Sequence, residues 1–286
     1  MDGCAASPPR RFCRKAAALL LALPAFLGSI GWAAAETDPA VSADLPSERR
    51  DAITILSNDS GGIRKWSHSP EVVVIYRDHD VKAQFEAVLE QIRTGAPNFV
   101  GFAGVSYFDL GTIEGDFHGK ILTRLQRTGE GDEERSTFGM RVAAGRDGVQ
   151  ILSGNIFIFA LDADELMLMG SLTSASASYV RRVERGLDPV CWYKSHSRSD
   201  TIQIAFVYIY DSPQFRHIKE CLYEELIQSL GLLNDANCSP HFTLDDGLGG
   251  FERRRNDLRL LDRLYDTQFP PGSPAARVAD AYMEEN

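Results

Sequence analysis

Residues 212–235 read SPQFRHIKECLYEELIQSLGLLND, and the fold is read outward from them. Ser212 can cap a helix, and Pro213 suits its first turn, where a missing N–H leaves no bond unmade. Gly231 supplies the stop, because glycine takes a left-handed C-terminal conformation without steric cost. At about 100° per residue, Phe215, Ile218, Leu222, Leu226 and Leu230 share one face, which should pack on a core. His217, Cys221, Glu224 and Gln228 gather on the other side, with Glu225 at the edge between them. The spacing predicts a helix over about 213–230.

The polar residues repeat a known layout. Glu224-Glu225-x-x-Gln228-x-x-Gly231-x-x-Asn234 has the spacing of the metzincin helix, HExxHxxGxxH, in which three histidines hold zinc and the glutamate activates water. Glu225 and Gly231 match, whereas the ligand positions hold Glu224, Gln228 and Asn234. Zinc prefers nitrogen and sulfur donors, so it fits poorly. A hard divalent cation such as calcium would accept these oxygens, but three are few for it. The Met-turn is missing as well, since no methionine lies between Met169 and Met283. No metal or other cofactor is expected. The plain alternative is a solvated helix face with ordinary carboxylates.

The chain opens with a targeting pattern. Arg10, Arg11, Arg14 and Lys15 precede an apolar run from Ala16 to about Ile30, and Ala33-Ala34-Ala35 offers a cleavage site. Residues 1–35 are therefore read as a signal peptide, with export to the periplasm or beyond and no membrane anchor after cleavage. The chain's net charge is −10; cleavage removes four basic residues and one acid, leaving −13. An acidic exported protein is a poor partner for nucleic acid or anionic lipid. Three cysteines remain. An oxidising compartment permits a disulfide, expected between Cys191 and Cys221, with Cys221–Cys238 competing.

Residues 36–60 read as a linker or N-terminal arm, with order beginning at Asp51–Leu56, and residues 61–272 as a single domain. Glu71–Tyr76 (EVVVIY) and Thr201–Tyr210 (TIQIAFVYIY) are strands by their β-branched and aromatic content. Phe85, Val88, Leu89 and Ile92 stripe a helix over Val81–Arg93. Asn98–Leu110 holds one or two short strands, and Ile113–Arg127 fits strand or helix. Gly148–Leu161 is a strand pair broken at Ser153-Gly154. Asp162, Asp164 and Glu165 suit a helix start, and Thr173–Arg185 reads as helical. Asp245-Asp246-Gly247 is a turn rather than a calcium loop. Phe251–Tyr265 is a last helix, stopped by Pro270-Pro271-Gly272, and residues 273–286 are expected to be a flexible tail. There is no GxSxG elbow, no Walker loop and no GxGxxG after a strand. A Cys238–His241 dyad is close in sequence, but such pairs are usually distant.

Taken together, residues from about Gly62 to Gly272 resemble the proteobacterial domain-of-unknown-function family 2927, whose members are secreted or lipoprotein-like. The likeness rests on Cys221-x-x-Glu224-Glu225-x-x-Gln228-x-x-Gly231-Leu232-x-Asn234-Asp235. It is supported by Ile63-Arg64-Lys65-Trp66, Pro70, Val72–Ile75, Asn155–Ile158, Cys191, Asp257, Leu264-Tyr265-Asp266 and Pro271-Gly272. Cys238 and the glycine cluster after it depart from the family pattern. The resemblance implies export and a zincin-like α+β architecture, a mixed sheet packed on helices, and no established activity. The function expected is a non-catalytic pseudo-metallopeptidase domain that binds an exported protein or peptide, with Glu224, Gln228, Asn234 and Asp235 as binding residues. The alternative is an unusual hydrolase with Glu225 as general base, with or without a divalent cation.

Overall fold

Val72 to Ile75 of β1 (Glu71–Tyr76) are almost wholly buried. A strand apolar on both faces belongs in the middle of a parallel sheet covered on both sides. The computed structural model places it there. It describes residues 46–112, 122–128, 135–143, 149–173, 191–211, 218–236, 239–243 and 251–285. Residues 1–35, Ser212 to His217, Cys238 and Asp245 to Gly247 lie outside them.

In chain order the elements are α1 (Ser47–Leu56), β1, α2 (His79–Gly95), β2 (Gly104–Asp109), β3 (Leu122–Thr128), β4 (Arg135–Ala143), β5 (Val149–Gly154) and β6 (Ile156–Leu161). They continue with α3 (Ala163–Leu172), β7 (Cys191–Arg198), β8 (Thr201–Tyr210), α4 (Ile218–Ser229), α5 (Phe251–Leu264) and α6 (Ala275–Glu284). The expected α+β class is what forms. A five-stranded sheet runs β2-β1-β6-β8-β7. Its first four strands are parallel, while β7 lies antiparallel to β8 at the edge. A separate antiparallel sheet runs β3-β4-β5.

Alternation along the strands divides the core. Val72, Val74, Ile156, Ile158, Ala205 and Val207 face a large cluster built with α1, α2, α4, α5 and α6. Val73, Ile75, Phe157, Phe159, Phe206 and Tyr208 face the other way, onto α3. Phe159 stacks between Phe206 and Tyr208 at 6.5 and 5.5 Å. β7 and β8 join through Ser199 and Asp200, both at positive φ (48° and 61°), the hand a two-residue hairpin turn needs. No described helix is long and apolar enough to cross a membrane.

The structure resolves several expectations. Residues 122–128 are strand rather than helix, and Asn98–Leu110 contains one strand. The break in 148–161 falls at Asn155, which is buried and accepts the Glu71 N–H at 3.0 Å. Asp162 caps α3 by accepting from the Glu165 N–H, whereas Glu165 is not a surface dipole partner. It is buried and takes the Arg77 Nε on both oxygens at 2.9 Å. Residues 174–185 lie outside the described set.

Two corrections concern the ends. The arm at 36–60 contains α1, whose Ala52, Ile55 and Leu56 are fully buried. The tail at 273–286 is not loose: it forms α6, with Ala275, Val278, Ala279 and Tyr282 buried against α1 and α5. Tyr282 donates its hydroxyl to Glu48 at 2.7 Å and Arg49 pairs with Asp280, so the two ends hold each other.

Candidate functional site

The helix α4 follows β8 and lies on the sheet face nearest β7 and α2. Leu222 and Leu226 have no exposure and face the core as their spacing requires. The opposite side, expected to be a solvated polar face, is also packed. Cys221, Glu225 and Gln228 are each about 95% covered, and Tyr223 and Ile227 close a further side. Only Lys219, Glu220 and Glu224 keep partial exposure. The cause is the disulfide Cys191–Cys221, with Cα atoms 5.8 Å apart, which clamps that side of α4 to the edge strand. The expected pairing is the one formed.

The end of α4 is held by two side chains. Helix ends leave carbonyls without partners. The Trp66 indole N–H donates to the Ser229 carbonyl at 3.0 Å, and the Tyr265 hydroxyl donates to that of Leu230 at 2.8 Å. The same hydroxyl accepts the Trp66 N–H at 3.1 Å. Lys65 does the equivalent for α5, donating to Leu264 at 3.0 Å and Asp266 at 3.3 Å; its burial lowers its pKa, against the pull of Asp266. The stretch Ile63–Trp66 thus locks two helix ends together. Gly231 sits at φ 120°, and a Cβ there would lie 2.4 Å from the Arg64 carbonyl oxygen.

Asn234 stands just beyond. Its side-chain amide donates to the carbonyls of Thr54 at 2.9 Å and Ser57 at 2.6 Å, and its backbone N–H to Ile55 at 3.2 Å. It closes the C-terminal end of α1. We expect Asn234→Ala to cost about 1 kcal/mol. A chemical denaturation curve with a lowered midpoint and unchanged slope would show it; an unchanged midpoint would mean that water replaces both bonds.

Gln228 donates to the exposed Asp235 at 2.5 Å. Glu225 lies beneath, and its Oε2 is buried with no hydrogen-bond partner among the described residues. Burial, then the charges of Glu224 and Asp235, raise its pKa well above the ordinary carboxyl value. Tyr193 on β7 is the neighbour that sequence reasoning did not single out for this site. Its hydroxyl donates to the Leu233 carbonyl at 2.6 Å, and its pKa is raised by burial and by Glu225 and Asp235. The signal was its position two residues past Cys191, on the same side of the strand.

This set does not suit zinc. It offers one carboxylate and two neutral amides at the ligand positions, and both amides already donate to other parts of the fold. Among the described residues, no group of three or more His, Cys, Asp or Glu is arranged to hold a metal ion. His241 is turned to α1, 3.1 Å from the Ser47 hydroxyl.

The buried acid makes stability depend on pH. A carboxyl whose pKa is higher in the folded chain stabilises fully below its unfolded value and loses that contribution as pH rises through the folded value. Asp257, fully buried and raised to about 6 by that burial, acts in the same direction. We expect the melting temperature to fall on the alkaline side, and Glu225→Gln to flatten that fall. Parallel melting curves for the two proteins from pH 4.5 to 9 would contradict the assignment.

No curated protein and no solved structure matches the chain. Over residues 132–283, more than half its length, it matches the model of a family described as a protein of unknown function, DUF2927. That span holds β7, β8 and α4, with the disulfide, the buried Glu225 and the Gln228–Asp235 bond; on that match, the chain belongs to domain-of-unknown-function family 2927.

Proposed function

We propose that this is an exported, non-catalytic domain of zincin-like layout that binds an extended peptide or protein segment by adding it as a strand to β7. One observation carries the reading. The positions that hold zinc in a metzincin helix are given over to the fold here, Asn234 to α1 and Gln228 to Asp235. The edge strand remains beside the helix and, among the described residues, pairs only with β8. In zincins an extended substrate pairs with a sheet edge above the active helix, and such an edge can bind by main-chain hydrogen bonds after the chemistry is lost. Export is supported by the pattern of residues 1–35 and by a disulfide of the kind an oxidising compartment permits.

The test is a panel of ten-residue peptides added to isotope-labelled protein. Binding should shift the amides of β7 and vanish when alternate peptide nitrogens are methylated, which removes donors but keeps side chains. Shifts confined to another face, or indifference to methylation, would defeat the reading.

One observation favours the runner-up. The unpartnered Oε2 of Glu225, with its raised pKa, brings the group toward the range in which a general base works near neutral pH. Cleavage of any panel peptide, abolished in Glu225→Gln with binding retained, would establish a hydrolase instead.

A further inference from the structure

Helices α2 and α5 meet around a groove of about 790 Å³. Its base is a close approach. Gly95 ends α2, and a Cβ there would come within 2.5 Å of the Leu258 side chain. Its opposite wall carries three guanidiniums, Arg254, Arg255 and Arg259, with no acidic residue in the lining. This is an unusual concentration in a chain of net charge −10.

The three are not equivalent. Arg254 lies over the Tyr223 ring at 5.2 Å, with Glu220 3.8 Å away, and Arg259 lies over the Tyr282 ring at 5.6 Å and gives one of its N–H groups to the Glu285 carbonyl at 3.3 Å, leaving its other donors for a ligand. Rings beneath two of the guanidiniums hold their planes before any ligand arrives, so little rotamer freedom is lost on binding. Arg255 is exposed and forms no ion pair among the described residues. It stands one helical turn before Arg259, near the positive, N-terminal half of α5. The rest of the lining is Leu258, Gly95, Gln91 and Thr94, whose hydroxyl donates back to the Glu90 carbonyl, together with the methylene stems of the arginines. Such stems make an apolar wall while their heads stay polar.

We propose that this groove binds a small amphiphile with a carboxylate head and an aliphatic body. The head bridges Arg255 and Arg259 as a forked acceptor. The body lies over Leu258 toward the last turn of α2, whose carbonyls would repel a charge but not a hydrocarbon. The volume is that of a small-molecule site and too small for a docked helix. The site is separate from β7 and does not depend on how β7 is used.

The experiment is calorimetric titration of the purified protein with dodecanoate, dodecanol and an acidic hexapeptide, repeated on Arg255→Glu. Arg255 is exposed, so the variant should fold, and an unchanged melting curve checks that. Saturable dodecanoate binding is expected, weakened at least about tenfold by Arg255→Glu and at least as much when the head is the alcohol. No dodecanoate binding up to its solubility limit, or binding indifferent to Arg255→Glu, overturns the site. Hexapeptide binding that outcompetes dodecanoate overturns the aliphatic body.

Discussion

Gly231→Ala should leave little folded protein. The residue sits at φ 120°, where a side chain is strained, and the added Cβ would stand 2.4 Å from the Arg64 carbonyl oxygen and 2.8 Å from Leu264. The first contact is with backbone, so no rotamer change relieves it. Backbone strain of this kind costs about 1–3 kcal/mol. The contact adds to it, because Arg64 is fixed between the Ile63 and Lys65 bonds that tie this segment to Ser273 and Asp200. We expect a loss of about 3–5 kcal/mol, at the exceptional end for one substitution. Gly61→Ala is the control. It too has a left-handed φ, 77°, but nothing within 4 Å of the new Cβ. Strain alone should cost it about 1 kcal/mol. Equal losses in the two variants would show that the approach of Arg64 does not matter and that Gly231 is only a helix stop.

Trp66→Ala should be comparably severe. The ring is 1% exposed, and its removal empties the space between α4 and α5. Cavities of this size cost about 3–5 kcal/mol. Trp66→Phe separates the parts, because it keeps most of the volume and removes only the N–H donated to Ser229. That change should cost about 1–2 kcal/mol. Tyr265→Phe removes the matching bond to Leu230. Because the two bonds hold adjacent carbonyls of one helix end, Ser229 and Leu230, the double variant should lose less than the two single losses combined. Strict additivity would mean that the two helix-end bonds act separately. Urea unfolding of all four proteins decides it.

Much of the fold could be read from the chain because its central elements carry strong local signals. β1 and β8 are β-branched runs, α4 has a regular apolar stripe and a glycine stop, and α5 ends at Leu264, one residue short of the end its apolar stripe marks. The Cys191–Cys221 disulfide is the pairing expected, although spacing left Cys221–Cys238 open. The ends were harder. The apolar residues of α6, Ala275, Val278, Ala279 and Tyr282, have helical spacing, but two are alanines, and α1 and α6 are buried largely by each other. Periodicity within one segment cannot show that a distant segment covers it.

The site was legible as a list of residues and not as an arrangement. Spacing puts Cys221, Glu225 and Gln228 on one side of α4. It does not say that β7 packs there, so a face expected to meet solvent became an interior, and Glu225 a buried acid. Asn234 stands where a metzincin would place its last histidine, yet its partners are in α1, some 180 residues away in the chain. The run Arg253–Arg255 is plain in the sequence. What makes it a groove is Gly95 on another helix, and that pairing is a property of the fold.

Gln228 and Asn234 are tied into the fold, to Asp235 and to α1, and positions so committed are expected to hold no metal. Elemental analysis of the purified protein tests this, joined to its melting temperature with and without chelator and with added zinc. Metal far below one equivalent is expected, with a melting temperature that neither chelator nor zinc moves. One bound metal per chain, whose removal lowers the melting temperature and whose return restores it, would contradict it.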